Sequence, residues 1–468
     1  MSQFRCRICG YIYDEAAEGV GFADLPDYWS CPICNADKSE FEEMNGDVGL
    51  PEAAPPPGAA VKTLEDFRRP SDEFESSMAD IHRIAREGES IIEPMRTRKP
   101  TLSWDDILIK GAQLARIPLN RDEPVNAQTV IGPNAGKPLV VDTPIIISHM
   151  SFGALSKEAH KALALGSRAA GAALCSGEGG ILPEARANAY RYIFEYVPNR
   201  YSATEDNLRT VDAIEVKFGQ SAKPGMGGHL PAGKVTAEIA AIRGFPEGTD
   251  IISPARFSDI ASPGDLKRRI EELRSLSGGR PIGVKFAAGD IEADLDFALA
   301  AGPDFITIDG RAGATGAAAK FVKDAASIPT IYALHRARKH LDARGVKGVT
   351  LIVTGGLRIS PDFAKAIALG ADAVAIGTAA LMAIGCQQYR ICHTGLCPVG
   401  IATQDAELRA RLDAEQSARW LANFLRVSTE ELRDFARLTG HDDVHKLSVR
   451  DLATTNSEIS AFTAIEHA

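Results

Sequence analysis

The residues with the clearest chemical signature are the cysteines. Seven of the eight fall into two groups, at 6, 9, 31 and 34 and at 386, 392 and 397. In a reducing compartment, clustered thiols indicate metal sites rather than disulfides. The first group forms two C-x2-C knuckles, Cys6/Cys9 and Cys31/Cys34, which make a tetrahedral sulfur site for zinc or for a single iron ion. The spacing alone leaves that choice open.

The second group, Cys386-x5-Cys392-x4-Cys397-Pro398, follows the last apolar run of the sequence. Three thiolates followed by a proline suit an iron–sulfur cluster in which one iron lacks a protein ligand. On spacing alone, three buried inert thiols are the alternative. The remaining cysteine, Cys175, stands apart in the sequence, and we expect it to be a small buried apolar residue.

Polar residues and glycines at the ends of apolar runs are the second chemical feature. The runs cover 144–148, 172–176, 213–217, 250–253, 282–286, 305–309, 350–354 and 373–377. Near-continuous apolar strands that alternate with helices indicate a parallel sheet buried on both faces. We predict an α/β fold, a (β/α)8 TIM barrel, and keep a doubly wound open sheet as the alternative. Because strand ends of a barrel meet on one face, Lys217 and Lys285 would face one cleft and contact an anion or a flavin.

Glycine-rich turns follow the seventh and eighth runs, at Gly355-Gly356 and at Gly377-Thr378. Such turns let backbone N–H groups approach a phosphate, which suits a nucleotide-like cofactor. A Gly-Gly pair alone is weak support, since loops use glycine freely. The two strand-end lysines are the better support for a bound anion.

Composition divides the rest of the chain. Residues 1–46 form a cysteine- and aromatic-rich unit, and residues 47–62 form a proline-rich linker that would tether this unit without fixing its position. We expect a helical segment over 63–110 and the barrel over 111–425, with the iron–sulfur segment at 385–404. A helical tail is expected over 426–468, where Ser428-Thr-Glu-Glu is typical of a capping box.

Overall composition narrows the class of protein. The 468 residues are 45% apolar and 24% charged, which is enough for a large core and excludes a wholly disordered chain. The net charge of −10 disfavours binding to nucleic acid or to a membrane surface. We find no signal peptide and no long apolar run, so we expect a soluble cytoplasmic protein. Large acidic enzymes with several cofactors often assemble, and we expect an oligomer.

The N-terminal unit resembles rubredoxin. The resemblance rests on Cys6-Arg-Ile-Cys9-Gly-Tyr-Ile-Tyr13 and on Asp24-Leu-Pro-Asp-Tyr-Trp-Ser-Cys31-Pro-Ile-Cys34. It implies one iron ion at the four cysteines and a one-electron relay, with an aromatic core of Tyr11, Tyr13, Phe22, Trp29 and Phe41. The loop between the knuckles is shorter than in typical rubredoxins, and Asn35 stands where glycine is usual. A zinc ribbon is the alternative.

The run from Gly385 to Gln404 looks like the [3Fe–4S] segment of glutamate synthases, G-C-x5-C-H-x3-C-P-V-G-[IV]-A-T-Q. Three further segments are similar to motifs of the synthase domain of that family: 149–160, 176–180 and 217–231. The resemblance covers roughly residues 100–425. It implies a stand-alone, archaeal-type synthase domain that binds FMN and a [3Fe–4S] cluster and is fused to a rubredoxin domain.

Carried over residue by residue, the resemblance assigns the site. Cofactor contacts are implied at Ser148, Met150, Ser151, Ser176, Lys217, Lys285, Gly355, Gly356, Gly377 and Thr378. Substrate contacts are implied at Gln220, Lys223, His229 and Arg243, and catalytic roles at Glu178, Lys217, Gln220 and Lys223. A structural role in its turn is the alternative for Glu178, and a plain loop position is the alternative for His229.

The implied reaction is the reductive amination of 2-oxoglutarate to glutamate through 2-iminoglutarate, with reduced FMN as the hydride donor. The cluster and the rubredoxin would carry electrons from an external carrier. The sequence has no N-terminal cysteine nucleophile and no Gly-x-Gly repeat. We therefore expect ammonia to come free or from a separate glutaminase-like subunit, alongside a separate Gly-x-Gly subunit.

Four residues near the predicted cleft mouth differ from those usual in the family and leave the amine substrate open: Met226, His229, Phe257 and Ser258. One alternative is the FMN subunit of N-methylglutamate synthase, which uses methylamine and glutamate. A non-catalytic electron-transfer subunit is the alternative from another class. The presence of Gln220, Lys223 and Arg243 argues against that subunit, because electron transfer needs no dicarboxylate site.

Overall fold

The computed structural model of the chain describes residues 2–7, 10–33, 36–44 and 63–468. It divides into two compact units, residues 1–89 and residues 90–468. Cys9, Cys34, Asn35 and the predicted linker 47–62 lie outside the described residues. Within the described ranges, every helix is too short or too polar to cross a membrane.

The first unit is built on a three-stranded antiparallel sheet. Its strands, from one edge to the other, are Ile12–Asp14, Gln3–Cys6 and Phe41–Glu43. The predicted aromatic core is present, since the ring of Trp29 lies 5.5 Å from that of Tyr13 and 5.3 Å from that of Phe41. Cys6 and Cys31 are both buried. Both knuckle cysteines in the described residues therefore lie in the core of this unit.

The segment 63–110 differs from the helical stretch that the sequence predicts. Within it the chain forms the α-helix Met78–Glu87, the 3-10 turns Leu64–Phe67 and Trp104–Asp106, and the strands Ile92–Glu93 and Ile107–Ile109. Pro94 and Pro100 explain the difference, because a proline inside a helix removes a backbone hydrogen bond and clashes with the preceding turn. The boundary between the two compact units falls at residues 89 and 90, inside the segment that the sequence predicts to be helical.

The second unit is a closed barrel of eight parallel strands, as predicted. The strands, numbered in chain order, are Ile145–Ile147 (β1), Ala173–Cys175 (β2), Arg191–Tyr196 (β3), Ala213–Lys217 (β4), Ile282–Ala287 (β5), Phe305–Asp309 (β6), Thr350–Thr354 (β7) and Ala373–Ile376 (β8). Each strand pairs with the next, and β8 pairs with β1 to close the sheet. The carboxyl ends of all eight strands therefore lie on one face.

One of the eight predicted strands is wrong. Residues 250–253 are not part of the barrel: Ile251–Ile252 pairs antiparallel with His229–Leu230 in a short ribbon. The missing barrel strand is β3, which contains Glu195 and was not predicted because its sequence, Arg-Tyr-Ile-Phe-Glu-Tyr, interrupts the apolar pattern with charges. Glu195 is buried all the same. Its side chain needs the charged partners described below.

The barrel interior is apolar in its lower half and charged in its upper half. The lower half is a cluster of inward-facing side chains that includes Ile193 and Phe305, and it is closed by the hairpin Thr129–Ile131/Leu139–Val141. Successive side chains of a strand alternate in direction, so Glu195 and Thr307, each two residues further along, face the same interior. The charged layer thus lies at the carboxyl ends of the strands.

Helices cover the outside of the barrel. They are Lys157–Ala170, Pro183–Asn188, Glu205–Thr210, Ala237–Arg243, Pro263–Leu276, Ile291–Ala300, Lys320–Ala325, Thr330–Ala343, Ser360–Ala368 and Thr378–Ala383, followed by Ala406–Arg409, Ala414–Leu438 and Ser457–Phe462. Two small sheets complete the unit: Ile92–Glu93 with Ala318–Ala319, and Ile107–Ile109 with Leu452–Thr454 and Glu466–His467.

The predicted capping box at Ser428 is wrong, because Ala414–Leu438 is one continuous helix that contains Ser428. The helix begins after Asp413, whose carboxylate accepts hydrogen bonds from the backbone N–H groups of Glu415 and Gln416. Thr429 donates its hydroxyl proton to the carbonyl of Leu425 at 2.7 Å, which satisfies this polar group inside the helix.

Candidate active site

A cavity of about 540 Å³ lies at the carboxyl ends of the barrel strands. The predicted residues that line it are Ser148, Met150, Ser151, Glu178, Lys217, Gln220, Lys223, His229, Arg243, Lys285, Gly355, Gly356, Gly377, Thr378, Cys386, Cys392 and Cys397. Strand ends, glycine turns and the second cysteine group therefore share one cavity, although they are far apart in sequence.

Ser176 is the one predicted cofactor residue that does not line this cavity. Its hydroxyl accepts a hydrogen bond from the backbone N–H of Glu195 at 2.9 Å and donates to the carbonyl of Gly177 at 3.2 Å. Because the residue is buried, these contacts join β3 to the end of β2 beneath the cavity.

An ion pair spans the cavity wall. Lys217 Nζ donates a hydrogen bond to Glu178 Oε2 at 2.6 Å. Burial alone would raise the pKa of Glu178, but the charges of Lys217 and Lys223 lower it to about 2. Burial alone would lower the pKa of Lys217, but Glu178 and Glu195 raise it. Both groups are therefore charged at neutral pH, and Glu178 is an acceptor rather than an acid.

The loop after β4 brings the predicted substrate residues to the mouth of the cavity. Burial lowers the pKa of the Lys223 ammonium group, and the neighbouring charge of Lys217 lowers it further. Its hydrogen bond to the carbonyl of Gly227 is long, with Nζ 3.4 Å from the oxygen. Lys223 is therefore a cation that an added carboxylate would stabilise.

Arg243 approaches the same space from the helix Ala237–Arg243. Its Nη2 donates to the carbonyl of Phe152 at 2.7 Å, and its guanidinium lies 5.2 Å from the ring centre of Tyr201. Among the described residues, its buried Nε has no hydrogen-bond partner. Burial lowers the pKa of this guanidinium, so here too an anion would be favourable.

His229 and Met226 line the mouth, as expected, whereas Phe257 does not. His229 Nε2 lies 3.0 Å from Asp250 Oδ2, and both side chains are exposed. Phe257 is buried, with its ring stacked on that of Tyr196 at 5.8 Å and edge-on to that of Phe218 at 5.3 Å. The residue at 257 therefore shapes the wall behind the cavity.

The glycine turns after β7 and β8 face an arginine that sequence analysis did not assign. Arg358 lines the cavity beside Gly355 and Gly356. Burial and the nearby charge of Arg96 lower the pKa of Arg358 to about 10. A Cβ atom at Gly377 would meet no atom within 4 Å, so the turn after β8 borders open space. Positive charge and space at these turns fit a phosphate group.

The second cysteine group forms one wall of the cavity. Gln388 Nε2 donates to Cys386 Sγ at 3.2 Å, and Lys234 Nζ donates to the carbonyl of Cys392 at 2.7 Å. Burial and the two neighbouring thiols raise the pKa of Cys392 to about 11. Ionising these thiols without a neighbouring cation would cost free energy. Bound iron would supply that positive charge.

Three buried ionisable residues at the base of the cavity, His149, Glu195 and Glu215, were not predicted as site residues, although the first two line the cavity. His149 contacts Glu215 through Nε2, and its Nδ1 lies 3.6 Å from Glu195 Oε1. Glu195 Oε1 also lies 3.6 Å from Lys217 Nζ and 3.7 Å from Lys285 Nζ. The one signal in the sequence was the pair of lysines in the barrel strands, because buried lysines need carboxylates nearby.

Comparison with known protein families agrees with this geometry. Residues 81–442 match the family model described as the conserved region in glutamate synthase. The chain belongs to the glutamate synthase family. This glutamate synthase-like protein is thus an oxidoreductase of the class that acts on CH–NH2 donors. Residues 3–41 match the rubredoxin family model, so a rubredoxin domain precedes the barrel.

Curated relatives share most of the chain. It is 38% identical to a glutamate synthase large subunit-like protein of Rhizobium meliloti, covering 83% of the chain and 92% of the relative. It is 33% identical to an archaeal-type glutamate synthase [NADPH] of Thermotoga maritima, covering 94% and 89%. It is 42% identical to the archaeal glutamate synthase [NADPH] of Methanocaldococcus jannaschii, covering 68% and 62%.

Solved structures support the barrel fold. A structure of a mandelate oxidase mutant with benzaldehyde aligns with a TM-score of 0.50 and 19% identity, covering 80% of this chain and 97% of that one. At this identity the likeness concerns the fold alone.

Proposed function

We propose that the protein is an FMN-dependent glutamate synthase that reductively aminates 2-oxoglutarate to glutamate through 2-iminoglutarate. The observation that carries the proposal is the shared cavity. It is lined by two strand-end lysines, by the glycine turns after β7 and β8, by the cationic loop after β4 and by three cysteines. This lining supports one cavity that would hold a flavin, an anionic substrate and an iron–sulfur cluster.

The residues present fit FMN. Arg358 supplies a buried positive charge at the glycine turns, where a phosphate would relieve its repulsion from Arg96. Lys217 and Lys285 supply positive charge deeper in the cavity. We infer that the phosphate lies at Gly355, Gly356 and Gly377, and that the ring system lies above the lysines.

The residues also fit an iron–sulfur cluster. Among the described residues, the three thiols do not form a set whose sulfurs all lie within 4.8 Å of one another, which a single metal ion would need. A cluster suits wider spacing because each thiolate binds a different iron. We propose a [3Fe–4S] cluster on Cys386, Cys392 and Cys397, and one iron ion in the rubredoxin domain.

The dicarboxylate substrate fits the cations at the cavity mouth. Lys223 and Arg243 provide two positive charges for two carboxylates, and the amide of Gln220 provides a donor for the keto oxygen. Lys223 gives up its proton more readily than a free lysine because burial and Lys217 lower its pKa. A bound carboxylate would offset this effect, because a neighbouring negative charge favours the protonated ammonium group.

Lys217 has a different role. Its ammonium group stays protonated because Glu178 and Glu195 raise its pKa, so it acts as a fixed positive charge in the cavity rather than as a base. When bound, FMN supplies hydride transfer and the cluster supplies single electrons. Overall, 2-oxoglutarate, ammonium, two electrons and two protons give glutamate and water.

Product analysis tests the proposal. The purified chain is incubated with dithionite as the electron source, 2-oxoglutarate and ¹⁵N-ammonium, and the products are identified by mass spectrometry. We expect ¹⁵N-glutamate that is absent when 2-oxoglutarate or dithionite is omitted. A second incubation contains glutamate and methylamine instead. N-methylglutamate in that incubation, with no labelled glutamate in the first, would contradict the proposal and favour an N-methylglutamate synthase.

The rubredoxin domain is proposed as the port through which electrons arrive from an external carrier. Deleting residues 1–48 should slow flavin reduction by that carrier and leave hydride transfer from a chemically reduced flavin unchanged. Stopped-flow absorbance separates the two steps. Unchanged reduction by the carrier would reject this role.

A further inference from the structure

Four lysines line the cavity: Lys217, Lys223, Lys234 and Lys285. The charges of Glu178 and Glu195 act on the first two, and Glu195 Oε1 lies 3.7 Å from Nζ of Lys285. Lys234 is the exception, because among the described residues no carboxylate forms an ion pair with it. The residue is half-buried, and a cation that loses hydration without an anionic partner costs free energy. The counter-charge of Lys234 must therefore come from another kind of group.

The second cysteine group supplies this partner. Lys234 Nζ donates a hydrogen bond to the carbonyl oxygen of Cys392 at 2.7 Å. The lysine side chain also packs against the following turn, since a Cβ atom at Gly395 would lie 3.0 Å from Lys234 Cε. Its ammonium group attracts the sulfurs of Cys392 and Cys397 when these are ionised. The anions closest to Lys234 are therefore the thiolates of the proposed iron–sulfur site.

The backbone around Lys234 fixes the position of this charge. Lys234 ends the 3-10 turn Ala232–Lys234, and the backbone N–H of Ala232 donates to Asp250 Oδ1 at 2.7 Å. Two residues further on, the side chain of Thr236 caps the helix that ends at Arg243. The charge beside the cysteines thus comes from the segment that leads to Arg243, far from the cysteines in sequence.

A substrate carboxylate is the other anion that could pair with Lys234 in this cavity. The proposed dicarboxylate has two carboxylates, and Lys223 and Arg243 already supply one cation for each. The ammonium group of Lys234 is also tied to the cysteine wall by its hydrogen bond to Cys392. These contacts favour the iron–sulfur site over the substrate as the group on which Lys234 acts.

We propose that Lys234 is a positioning residue for the iron–sulfur site, and that its positive charge raises the reduction potential of a cluster held by Cys386, Cys392 and Cys397. This inference rests on the proposed function. The potential of such clusters depends on net charge and on the hydrogen bonds around them. The cluster takes up one electron from the external carrier, so its reduction adds one negative charge. A neighbouring cation therefore stabilises the reduced form more than the oxidised form.

A redox titration of the full chain, followed by electron paramagnetic resonance of the oxidised cluster, tests the effect of the charge. Lys234→Gln keeps a hydrogen-bond donor and loses the charge, whereas Lys234→Arg keeps both. We expect the equilibrium constant for reduction of the cluster to fall about tenfold in Lys234→Gln, which is 59 mV toward negative potential for one electron. Lys234→Arg should stay close to the wild type, as should Lys267→Gln at an exposed lysine. An unchanged potential in Lys234→Gln, or an equal shift in Lys234→Arg, would overturn the proposal.

Three further outcomes are decisive. A raised KM for 2-oxoglutarate in Lys234→Gln without a change in potential would assign Lys234 to the substrate and overturn the proposal. If Lys234→Gln holds no cluster, the proposal requires a full complement of iron in Lys234→Arg, and loss of the cluster from both variants would refute it. A wild-type chain that binds flavin but no cluster would refute the cluster assignment together with this role. A cluster whose potential does not depend on Lys234 would refute the role alone and leave the proposed function standing.

Discussion

Lys217 Nζ donates a 2.6 Å hydrogen bond to Glu178 Oε2, which joins the end of β4 to the loop after β2. The two side chains are 8% and 13% exposed, so water screens their attraction little. The pair is a fixed dipole in the cavity wall, and its negative end also faces Lys223. Three predicted catalytic residues are thus parts of one electrostatic unit.

The free energy of unfolding should depend on pH through the ion pair of Glu178 with Lys217. The pKa of Glu178 falls from 4.5 to about 2 on folding, so its contribution is present above pH 4.5 and is lost as the pH falls toward 2. We expect Glu178→Gln to lower the free energy of unfolding at pH 7 by about 3 kcal/mol. The difference from the wild type should shrink between pH 4.5 and pH 2.

Urea denaturation followed by circular dichroism measures that difference. Glu238→Gln is the control, because Glu238 pairs with Lys157 at a surface where both side chains are 35% exposed or more. A Glu178→Gln variant whose deficit stays constant down to pH 2 would show that the carboxylate is not held ionised by Lys217.

Lys223 should control binding of the dicarboxylate. Removing its charge in Lys223→Met costs one charged hydrogen bond to the substrate, about 1.5–3 kcal/mol, and should raise KM for 2-oxoglutarate about 10- to 100-fold. Steady-state kinetics give this value. Lys267→Met, on the exposed face of Pro263–Leu276, should leave KM unchanged. Equal KM values in the two variants would remove Lys223 from the substrate site.

Alanine substitutions in the two glycine turns, after β7 and after β8, should have different effects. A Cβ atom at Gly377 meets nothing within 4 Å, so Gly377→Ala should keep the melting temperature and weaken FMN binding by occupying the phosphate space. Gly355 has φ of +116° and its Cβ would lie 2.2 Å from the carbonyl oxygen of Gly310, so Gly355→Ala should destabilise the fold. Fluorescence titration with FMN and thermal melts separate the two effects. Unchanged FMN affinity in Gly377→Ala would place the phosphate elsewhere.

The second cysteine group should hold iron independently of the flavin. Cys392→Ser should abolish the electron paramagnetic resonance signal of the cluster and its share of the iron, while FMN and the rubredoxin iron remain. Cys175→Ala is the control, since Cys175 is buried at the end of β2. A cluster signal that survives in Cys392→Ser would contradict the assignment of the ligands.

Much of the fold follows from the sequence because apolar runs and glycine turns are local signals. Seven of the eight predicted barrel strands are present, and the two families were identified from their cysteine motifs. The error at residues 250–253 has a physical reason: Ile251 is buried in a ribbon at the cavity mouth, and a short apolar pair does not show which sheet it joins.

The charged floor of the site could not be predicted. Glu195 lies in a strand that was not predicted, because charged residues interrupt its apolar pattern. Glu215 lies in a correctly predicted strand, but no neighbouring residue indicates its function. Of their partners, Lys217 lies in the same strand as Glu215, Lys285 lies in β5, and His149 lies in the loop after β1. Only closure of the barrel brings these five residues together, and a single sequence does not contain the register of that closure.

The most direct test of the account is one anaerobic turnover. The flavin of the purified chain is reduced, 2-oxoglutarate and ammonium are added, and flavin absorbance is followed together with glutamate formation. The account predicts that the flavin is reoxidised only when both substrates are present and that glutamate forms at the same rate. A flavin that stays reduced with both substrates, or one that is reoxidised without glutamate, would contradict it.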